Sequence, residues 1–370
     1  MLQTSLRELA SHQSRGPFLS LYLETRRRDE AQKDRIRVFL KNETHRIRVN
    51  LEGNGHGREI EKGIRQIETW MENDLQPETR GVAIFSCPSE DVFIPLQLPV
   101  EVKTELAIGA RPHLRQLAAI HGRNPRVALA LVDAKYARLF ALEFGRVLSE
   151  LDLSDPDMPR RHDQGGWSQA RFQRHVQDHI DRHQKEVAET LTRMVERGHF
   201  EYVILSGQER NLANFRSFLP RRVEEKVIGS LHLDIRSSEE EVAESCARLL
   251  ETEQSRRLRA WLAELEQAAR SGGHGALGVA AVVDACNQRR LARLFVSENA
   301  LARGWRCTNC STLGEAIPVG CPACGEAVVT VELVEEFIAA AQREDAAIAF
   351  VAPGESLLDD AQGVGALLRF

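Results

Sequence analysis

Four of the seven cysteines in this 370-residue chain lie in two closely spaced pairs, and this spacing constrains the fold more than any other feature. The pairs are Cys307-x-x-Cys310 and Cys321-x-x-Cys324. Each pair is typical of a tight turn that aims both sulfur atoms at one ion, and two such turns complete a tetrahedral zinc site. Gly325 favours the second turn, because glycine readily adopts a positive φ. The spacing therefore predicts a zinc ribbon over residues 305–327.

A redox-active dithiol is the alternative role for these cysteines, but two paired motifs favour a metal. A site of four thiolates leaves no position open for a substrate, so the predicted zinc is structural and not catalytic. Cys87, Cys246 and Cys286 stand among apolar neighbours and are predicted to be buried. Because the N-terminal residues form no apolar export signal, we expect a cytoplasmic protein without disulfides.

The overall composition excludes several classes of protein. The chain is 42% hydrophobic and 28% charged, which excludes global disorder, and its length predicts two or three domains. A net charge of −5 argues against a protein that is basic throughout, and no apolar run approaches the roughly 20 residues that span a bilayer. No membrane partner is therefore expected. Residues 26–48 and 160–185 are locally basic, and each is interpreted as either a solvated helix face or an RNA-contacting face.

Strand-like and helical patterns divide the chain into three predicted domains. Residues 1–123 combine alternating strands with a charged helix, and His121 to Pro125 is interpreted as a linker. Residues 124–271 begin with three short strands and continue with alternating helices and strands, and residues 272–370 alternate helix and strand around the cysteine pairs. The predicted fold is α/β and α+β, with mixed sheets covered by helices and a zinc ribbon inserted in the C-terminal α/β domain.

A polar loop with two adjacent glycines, Gly165 and Gly166, precedes a helix predicted from about Gln169 to Arg197 in the middle domain. Two glycines alone are weak evidence, because most such loops only turn the chain. Trp167 follows them, and a large aromatic in a solvated loop requires a surface to pack or stack on. Gln169 opens the helix; its amide can orient a water molecule but, being neutral, cannot act as a strong base.

The helix that follows this loop is rich in basic residues and histidines. Its candidate phosphate contacts are Arg171, Arg174, Arg182 and Lys185. His175, His179 and His183 recur every four residues and therefore share one stripe of the helix. We interpret this stripe as a solvated or RNA-contacting face. A metal site is the weaker alternative, since no carboxylate partner is evident nearby.

The segment Gly165-Gly166-Trp-Ser-Gln-Ala-Arg171-Phe172 resembles the GGQ loop and helix of archaeo-eukaryotic class I peptide chain release factors. Val127–Asp133 with Ala137–Phe140 is similar to the opening hairpin of that family's middle domain, and Gly363–Phe370 is similar to its closing signature. The cysteine pairs lie where archaeal members carry a zinc-binding mini-domain. The N-terminal segment is similar only to the bacterial branch of the superfamily.

The resemblance implies a factor that enters the ribosomal A site and brings a glutamine to the peptidyl-transferase centre. There the glutamine coordinates the water that attacks the ester between peptide and tRNA. In the family this glutamine directly follows the two glycines, whereas here Trp167 does so and Gln169 lies two residues later. That spacing matches the Gly-x-x-Gln of the superfamily's quality-control branch. The implied catalytic residues are Gly165, Gly166 and Gln169, with Trp167 contacting RNA.

The implied partners are the ribosome, its rRNA and peptidyl-tRNA, with a translational GTPase as a further candidate. The N-terminal segment lacks the family's stop-codon-reading motifs, so decoding is not expected. Two functions remain open: a peptidyl-tRNA hydrolase for stalled ribosomes, and a non-catalytic Pelota-like rescue or hibernation factor that occupies the A site. A tRNA nuclease is the least favoured interpretation, because Asp133, Asp163 and Asp178 form no recognisable metal-binding acidic set.

Overall fold

The computed structural model describes residues 2–12, 14, 16–26, 32–51, 57–155, 169–354 and 356–370. Within this part of the chain, the helices are α1 (Leu2–Ser11), α2 (Gln32–Leu51), α3 (Gly57–Asn73), α4 (Arg115–Arg123), α5 (Gln169–Gly198), α6 (Glu209–Ser217), α7 (Arg221–Glu224), α8 (Glu239–Arg270), α9 (Val279–Asn287), α10 (Leu333–Arg343) and α11 (Ser356–Asp359).

The strands form four sheets. They are β1 (Phe18–Glu24), β2 (Gly81–Cys87), β3 (Val92–Leu98), β4 (Glu105–Gly109), β5 (Val127–Val132), β6 (Tyr136–Glu143), β7 (Arg146–Ser154), β8 (Tyr202–Ser206), β9 (Val227–Leu231), β10 (Gly275–Leu277), β11 (Leu291–Ser297), β12 (Arg303–Cys307), β13 (Leu313–Gly314), β14 (Val328–Glu332), β15 (Ala347–Val351) and β16 (Val364–Leu368). The predicted mixed α/β class is confirmed.

Contacts group the chain into two compact units. One unit joins Met1–Arg123 with Ala260–Phe370, and the other is Asn124–Arg259. The limit at Arg123 is the end of α4, and the limit at Arg259 lies inside α8. The linker predicted from His121 to Pro125 is wrong in part, because α4 continues to Arg123. The division into three domains stays a prediction.

The unit built from both ends of the chain contains three sheets. The N-terminal segment forms an antiparallel sheet of order β3-β2-β1-β4, covered by apolar side chains of α2 and α3. The C-terminal segment forms a mixed sheet of order β10-β16-β11-β15, in which β11 and β15 are parallel. Between β11 and α10 the chain leaves this sheet to form the small antiparallel sheet β13-β12-β14, which carries the four cysteines.

The other unit is a five-stranded mixed sheet with helices on both faces. Its order is β7-β6-β5-β8-β9; the first three strands are antiparallel and the last three are parallel. Because side chains alternate along a strand, β5 sends one set to a core formed with α5 and α6 and the other to a core formed with α8. This explains why β5 is apolar at every position. The prediction of mixed sheets covered by helices is confirmed here.

Two consecutive buried glutamates on α10 attach the N-terminal segment to the C-terminal one. Glu335 accepts hydrogen bonds from the backbone amides of Leu114 and Arg115, at 2.7 and 3.3 Å, and so satisfies two donors at the start of α4. The His113 imidazole lies 3.3 Å from its other oxygen. Burial, partly offset by this histidine, raises the pKa of Glu335 to about 7.

Glu336 lies between two arginines in the interior of the same unit. The Nε atom of Arg306 donates to it at 3.0 Å, and Nη1 of Arg111 lies 3.3 Å from its second oxygen. Arg111 also donates from Nη2 to the Ser311 hydroxyl at 3.3 Å, so an N-terminal side chain contacts the cysteine-bearing loop. Burial lowers the pKa of Arg111 to about 10, while the facing carboxylate acts in the opposite direction.

The raised pKa of Glu335 predicts a loss of stability with rising pH. The folded chain keeps this carboxyl protonated up to about pH 7, whereas the unfolded chain ionises it near 4.5. The stabilisation of the folded state that comes from this raised pKa is therefore complete below pH 4.5 and is lost as the pH rises through 7. Glu335→Gln keeps an oxygen acceptor without this titration. As the pH rises from acidic to alkaline values, we expect the free energy of unfolding of the variant to increase by on the order of 1 kcal/mol relative to that of wild type. Denaturant unfolding at each pH measures this difference.

The control for this prediction is Glu326→Gln, which removes an exposed carboxylate from the same unit. Its free energy of unfolding should follow the wild-type pH profile. A Glu335→Gln profile parallel to that of wild type across the whole range would contradict the assignment.

Candidate functional site

Helix α5 begins at Gln169, directly after the residues that carry the two glycines. Gly165, Gly166 and Trp167 lie outside the described residues, and the described side chains of α5 begin at Gln173, so the structure gives no side-chain geometry for Gln169 or Arg171. The helix boundary agrees with the predicted one. The N-terminus of this 30-residue helix, which bears a partial positive charge, is thus adjacent to the glycine-containing segment.

One face of α5 exposes three of the predicted basic residues. The side chains of Arg174, Arg182 and Lys185 are exposed, and their spacing of eight and three residues places them on one side of the helix. Asp178 and Glu189 are exposed on the same side and partly balance their charge. This face is therefore a basic strip accessible to a polyanion.

The histidine stripe of α5 faces the interior, so its interpretation as a solvated or RNA-contacting face is wrong for two of its three members. His175 is exposed, whereas His179 and His183 are 7% and 2% exposed. The stripe lies on the side of α5 that continues into Val187 and Leu191, which pack on the sheet. The period of four residues was the correct signal for a shared face, but the apolar residues further along the helix decide which way that face points.

A carboxylate partner for this stripe exists, contrary to the prediction. Nδ1 of His179 lies 2.9 Å from Oδ2 of Asp155, and both side chains are largely buried. Asp155 follows β7, and its backbone amide donates to the carbonyl of Lys135 at 3.0 Å. The pair therefore joins the residue before segment 156–168 to the third turn of the helix after it. It fixes both ends of the chain stretch that contains the glycines.

Further polar side chains lie buried beside this pair. Burial lowers the pKa of His183, against the opposing effect of Asp155. Asn214 of α6 donates to Oε1 of Gln184 at 2.8 Å and to Asp181 at 2.9 Å, which links α5 to α6. These bonds hold the first half of α5 in a fixed rotation, so the basic strip on its opposite side has a fixed direction within this unit.

Of the acidic residues considered for a nuclease, the two that the structure describes belong to no cluster of three or more potential metal ligands. Asp133 follows β5 and lies 3.4 Å from the Asn211 amide, Asp178 is on the exposed face of α5, and Asp163 lies outside the described residues. Among the residues that the structure describes, only the cysteine cluster brings together three or more side chains able to hold a metal ion.

The four predicted metal-binding cysteines converge. The ligand atoms of Cys307, Cys310, Cys321 and Cys324 all lie within 4.8 Å of one another. Three of the sulfur pairs are 3.5 Å apart, close to the roughly 3.8 Å expected between thiolates bound tetrahedrally to zinc. A donor set of four sulfurs at these distances fits a soft or borderline divalent metal. The cluster is thus a candidate metal centre.

Local backbone structure shapes this centre. The amides of Asn309 and Cys310 approach Sγ of Cys307 at 3.4 Å, and hydrogen bonds from Thr312 lower the pKa of the Cys310 thiol to about 6, which favours the thiolate that binds metal. Gly325 has φ +82°, as the second turn was predicted to require. Gly314 is also constrained, because a Cβ there would lie 2.5 Å from the Trp305 indole nitrogen.

The remaining cysteines agree with prediction. Cys87, Cys246 and Cys286 are buried and free, and burial raises the pKa of Cys246 to about 12.

In the described part of the chain, no helix combines the length and hydropathy needed to cross a membrane.

Sequence reasoning missed the Asp155–His179 pair and the buried glutamates of α10. For the pair, a signal existed: an aspartate at the end of a strand, followed by a helix with histidines four residues apart. For Glu335 and Glu336 there was none, because two adjacent glutamates at a helix start are typical of a solvated first turn.

Known proteins and protein families are similar to this chain, some over one segment and others over most of its length. Residues 112–251 match the model of the family described as bacterial archaeo-eukaryotic release factor family 10. Uncharacterized protein MT2704 of Mycobacterium tuberculosis strain CDC 1551 / Oshkosh is 26% identical over 379 residues, covering 96% of this chain and 94% of that protein. Uncharacterized protein Rv2629 of strain ATCC 25618 / H37Rv has the same 26% identity and the same coverage.

Among solved structures, similarity is found to the archaeal translation termination factor aRF1, with a TM-score of 0.26, 16% identity and coverage of 100% of this chain and 97% of that one. Ribosome-bound archaeal Pelota, in a complex with ABCE1, gives a TM-score of 0.42, 15% identity and coverage of 100% and 94%. Dom34 of S. cerevisiae gives a TM-score of 0.43, 9% identity and coverage of 78% and 79%. The match of residues 112–251 confirms the resemblance found in the sequence: this segment is similar to the bacterial archaeo-eukaryotic release factors.

Proposed function

We propose that this protein binds stalled ribosomes and hydrolyses the ester of peptidyl-tRNA without reading a stop codon. One observation carries the proposal: the segment that matches a release factor family, residues 112–251, contains two adjacent glycines, a glutamine and a basic helix in that order. The match to this family supports a release-factor-like role at the ribosome. The hydrolytic step is our inference from Gln169.

In the proposed reaction the side chains have distinct tasks. Gly165 and Gly166 allow close approach of the backbone to the tRNA end, since neither has a Cβ. Gln169 orients the attacking water through its amide. The water oxygen bonds to the ester carbonyl carbon, the bond from that carbon to the ribose oxygen of the tRNA breaks, and the proton lost by the water passes to this leaving oxygen. A neutral amide contributes by position and by hydrogen bonding to the developing charge, which typically changes such rates by about 10²–10³.

The basic strip of α5 supports the same proposal. Arg174, Arg182 and Lys185 are exposed on one face, while the opposite face is fixed to the sheet by buried polar and apolar contacts. Contacts from these side chains to phosphates give position rather than sequence specificity, as a factor that acts on many peptidyl-tRNAs requires. The proposed partners are therefore the ribosome, its rRNA and peptidyl-tRNA, with a translational GTPase as a further one, and the proposed location is the cytoplasm.

A non-catalytic rescue or hibernation factor is the second candidate function. It is favoured by one observation, the presence of Trp167 at the position that directly follows the two glycines. An aromatic ring there is suited to stacking on a base, and the tryptophan side chain has no acceptor for a hydrogen bond from an attacking water. Both functions predict ribosome binding, and only the first predicts turnover.

We also propose that the cysteine cluster holds one structural zinc ion. Cys307, Cys310, Cys321 and Cys324 would each supply one thiolate, and the closed set leaves no position for substrate. The ion would crosslink β12 to the loop that precedes β14, in a three-stranded sheet too small to bury a large core of its own.

Replacement of Gln169 tests the hydrolytic step. Gln169→Ala is expected to lower the rate of peptide release from stalled ribosome complexes by about 10²-fold, with unchanged ribosome co-sedimentation. Gln173→Ala, an exposed glutamine one turn further along α5, serves as the matched control and should release peptide at the wild-type rate. Equal release by Gln169→Ala and wild type would refute the role of this glutamine. Absence of release by wild type itself would favour the non-catalytic function.

Charge removal tests the basic strip. Arg182→Ala combined with Lys185→Ala is expected to weaken ribosome binding severalfold and to reduce its salt dependence, because two phosphate contacts are lost. Binding is measured by co-sedimentation over a range of salt concentrations. Arg221→Ala with Arg222→Ala, two exposed arginines of α7 in the same unit, is the control. An unchanged salt slope for the α5 variant would exclude this face from the interface.

Metal removal tests the zinc proposal. Purified protein is expected to contain one equivalent of zinc by elemental analysis, and chelation or Cys321→Ser should lower the midpoint of thermal unfolding of the unit that contains the ribbon. Cys246→Ser, at a buried cysteine outside the cluster, should leave the zinc content unchanged. A metal-free protein with a disulfide between the pairs would instead support the redox alternative.

A further inference from the structure

The charge of the zinc ribbon differs from that of the basic strip. From Cys307 to Gln342 the sequence contains five glutamates and no lysine, arginine or histidine. The nearest exposed basic residue before this stretch, Arg303, lies opposite Glu332 in the sheet. The ribbon therefore presents a negatively charged surface, although the proposed partner of the chain, the ribosome, is itself largely negatively charged.

Three of these glutamates have roles within the fold and two do not. Glu332 caps α10 by accepting from the Glu335 amide at 3.0 Å, and Glu335 and Glu336 are the buried carboxylates described above. Glu315 and Glu326 are exposed, and neither forms an ion pair with a residue in the described part of the chain. With zinc bound, four thiolates and one divalent cation add a further net charge of about −2 beside them.

Two large apolar side chains are exposed next to these carboxylates. Ile317 is 62% exposed and Val319 is 109% exposed, and both lie in the loop between the cysteine pairs. Val329 on β14 is 36% exposed. Scattered exposed apolar residues are common, but here two stand two positions apart in one short loop that also carries Glu315.

Both ends of this loop are held by hydrogen bonds. At its start, the amide of Leu313 donates to Oδ1 of Asn287 at 2.9 Å, and the amide of Cys307 donates to the carbonyl of Thr312 at 2.9 Å. At its end, the amide of Cys321 donates to the carbonyl of Glu326 at 2.8 Å. The exposed side chains are therefore carried by a loop whose two ends are anchored. A preorganised surface loses less conformational entropy on binding than a free loop does.

We propose that the ribbon tip, defined as Glu315, Ile317, Val319 and Glu326, docks on a protein surface of the ribosome that presents lysine or arginine side chains around an apolar pocket. RNA is not its partner, because phosphates would be repelled by both carboxylates and by the zinc-thiolate charge. The apolar side chains fill the pocket and the glutamates pair with the basic rim. This inference rests on the proposed binding to ribosomes and adds the class of partner for a second contact surface.

Charge reversal distinguishes the two classes of partner, because the sign of the effect differs. Glu315→Lys combined with Glu326→Lys is expected to weaken ribosome binding by about tenfold at low salt if a basic protein surface is the partner. The same variant would bind more tightly if the tip faced RNA. Glu68→Lys with Glu72→Lys, two exposed positions on α3, changes the net charge equally and is the control. Zinc content and circular dichroism establish that each variant is folded.

Photo-crosslinking identifies the partner directly. A benzophenone amino acid in place of Val319, in the full chain bound to ribosomes, is expected to crosslink to a ribosomal protein, at or next to a lysine- or arginine-rich segment located by mass spectrometry. The same amino acid in place of Leu148, an exposed residue of β7, should not give that product.

The outcomes separate this inference from the proposed function. If wild type binds ribosomes, each of three results overturns the ribbon-tip proposal alone. These results are a crosslink from position 319 to rRNA, the absence of any crosslink from that position, and tighter ribosome binding by the lysine variant. Failure of the wild-type protein to co-sediment with ribosomes overturns both. Weaker binding by Glu315→Lys with Glu326→Lys, together with a protein crosslink, supports the inference.

Discussion

Two adjacent carboxylates buried at the start of α10 hold together a unit that is made from the two ends of the chain. Glu335 accepts from the amides at the start of α4, and Glu336 joins Arg111 of the N-terminal segment to Arg306 of the ribbon. Burying a carboxylate is costly unless it is paired or hydrogen-bonded, so these contacts are tolerated only when both segments are docked. The N-terminal sheet, the C-terminal sheet and the cysteine-bearing sheet thereby become one compact unit.

The other unit uses buried polar contacts for a different purpose. Along α5 the apolar residues Val187 and Leu191 fix the second half of the helix on the sheet, and His179 and Gln184 continue this face toward its beginning. The pair of Asp155 and His179 joins the two sides of the glycine-containing segment. If Gln169 orients a water, the position of the Gln169 side chain depends on this pair, because Gln169 lies on the same helix as His179, ten residues earlier. The basic strip faces away from these contacts, toward solvent, where phosphates can reach it.

The two candidate contact surfaces differ in the physical basis of recognition. On α5, exposed Arg182 and Lys185 suit a polyanion, and binding there should depend strongly on salt. On the ribbon, Ile317 and Val319 beside two glutamates suit a protein surface of opposite charge. A factor that carries both kinds of surface can distinguish an assembled ribosome from free RNA, since free RNA satisfies only the first.

Features that depend on local spacing could be derived from the order of the amino acids alone. Two Cys-x-x-Cys pairs can reach one point whatever surrounds them, so the convergence of the four cysteines was predictable, as were the mixed sheet of the middle segment and the helix that begins at Gln169. Features that depend on contacts between distant residues became visible only in the folded structure. The direction of the histidine stripe, the union of both chain ends into one unit and the burial of Glu335 and Glu336 are of this kind. Periodicity shows which residues share a face, but the partner that covers the face comes from elsewhere in the chain.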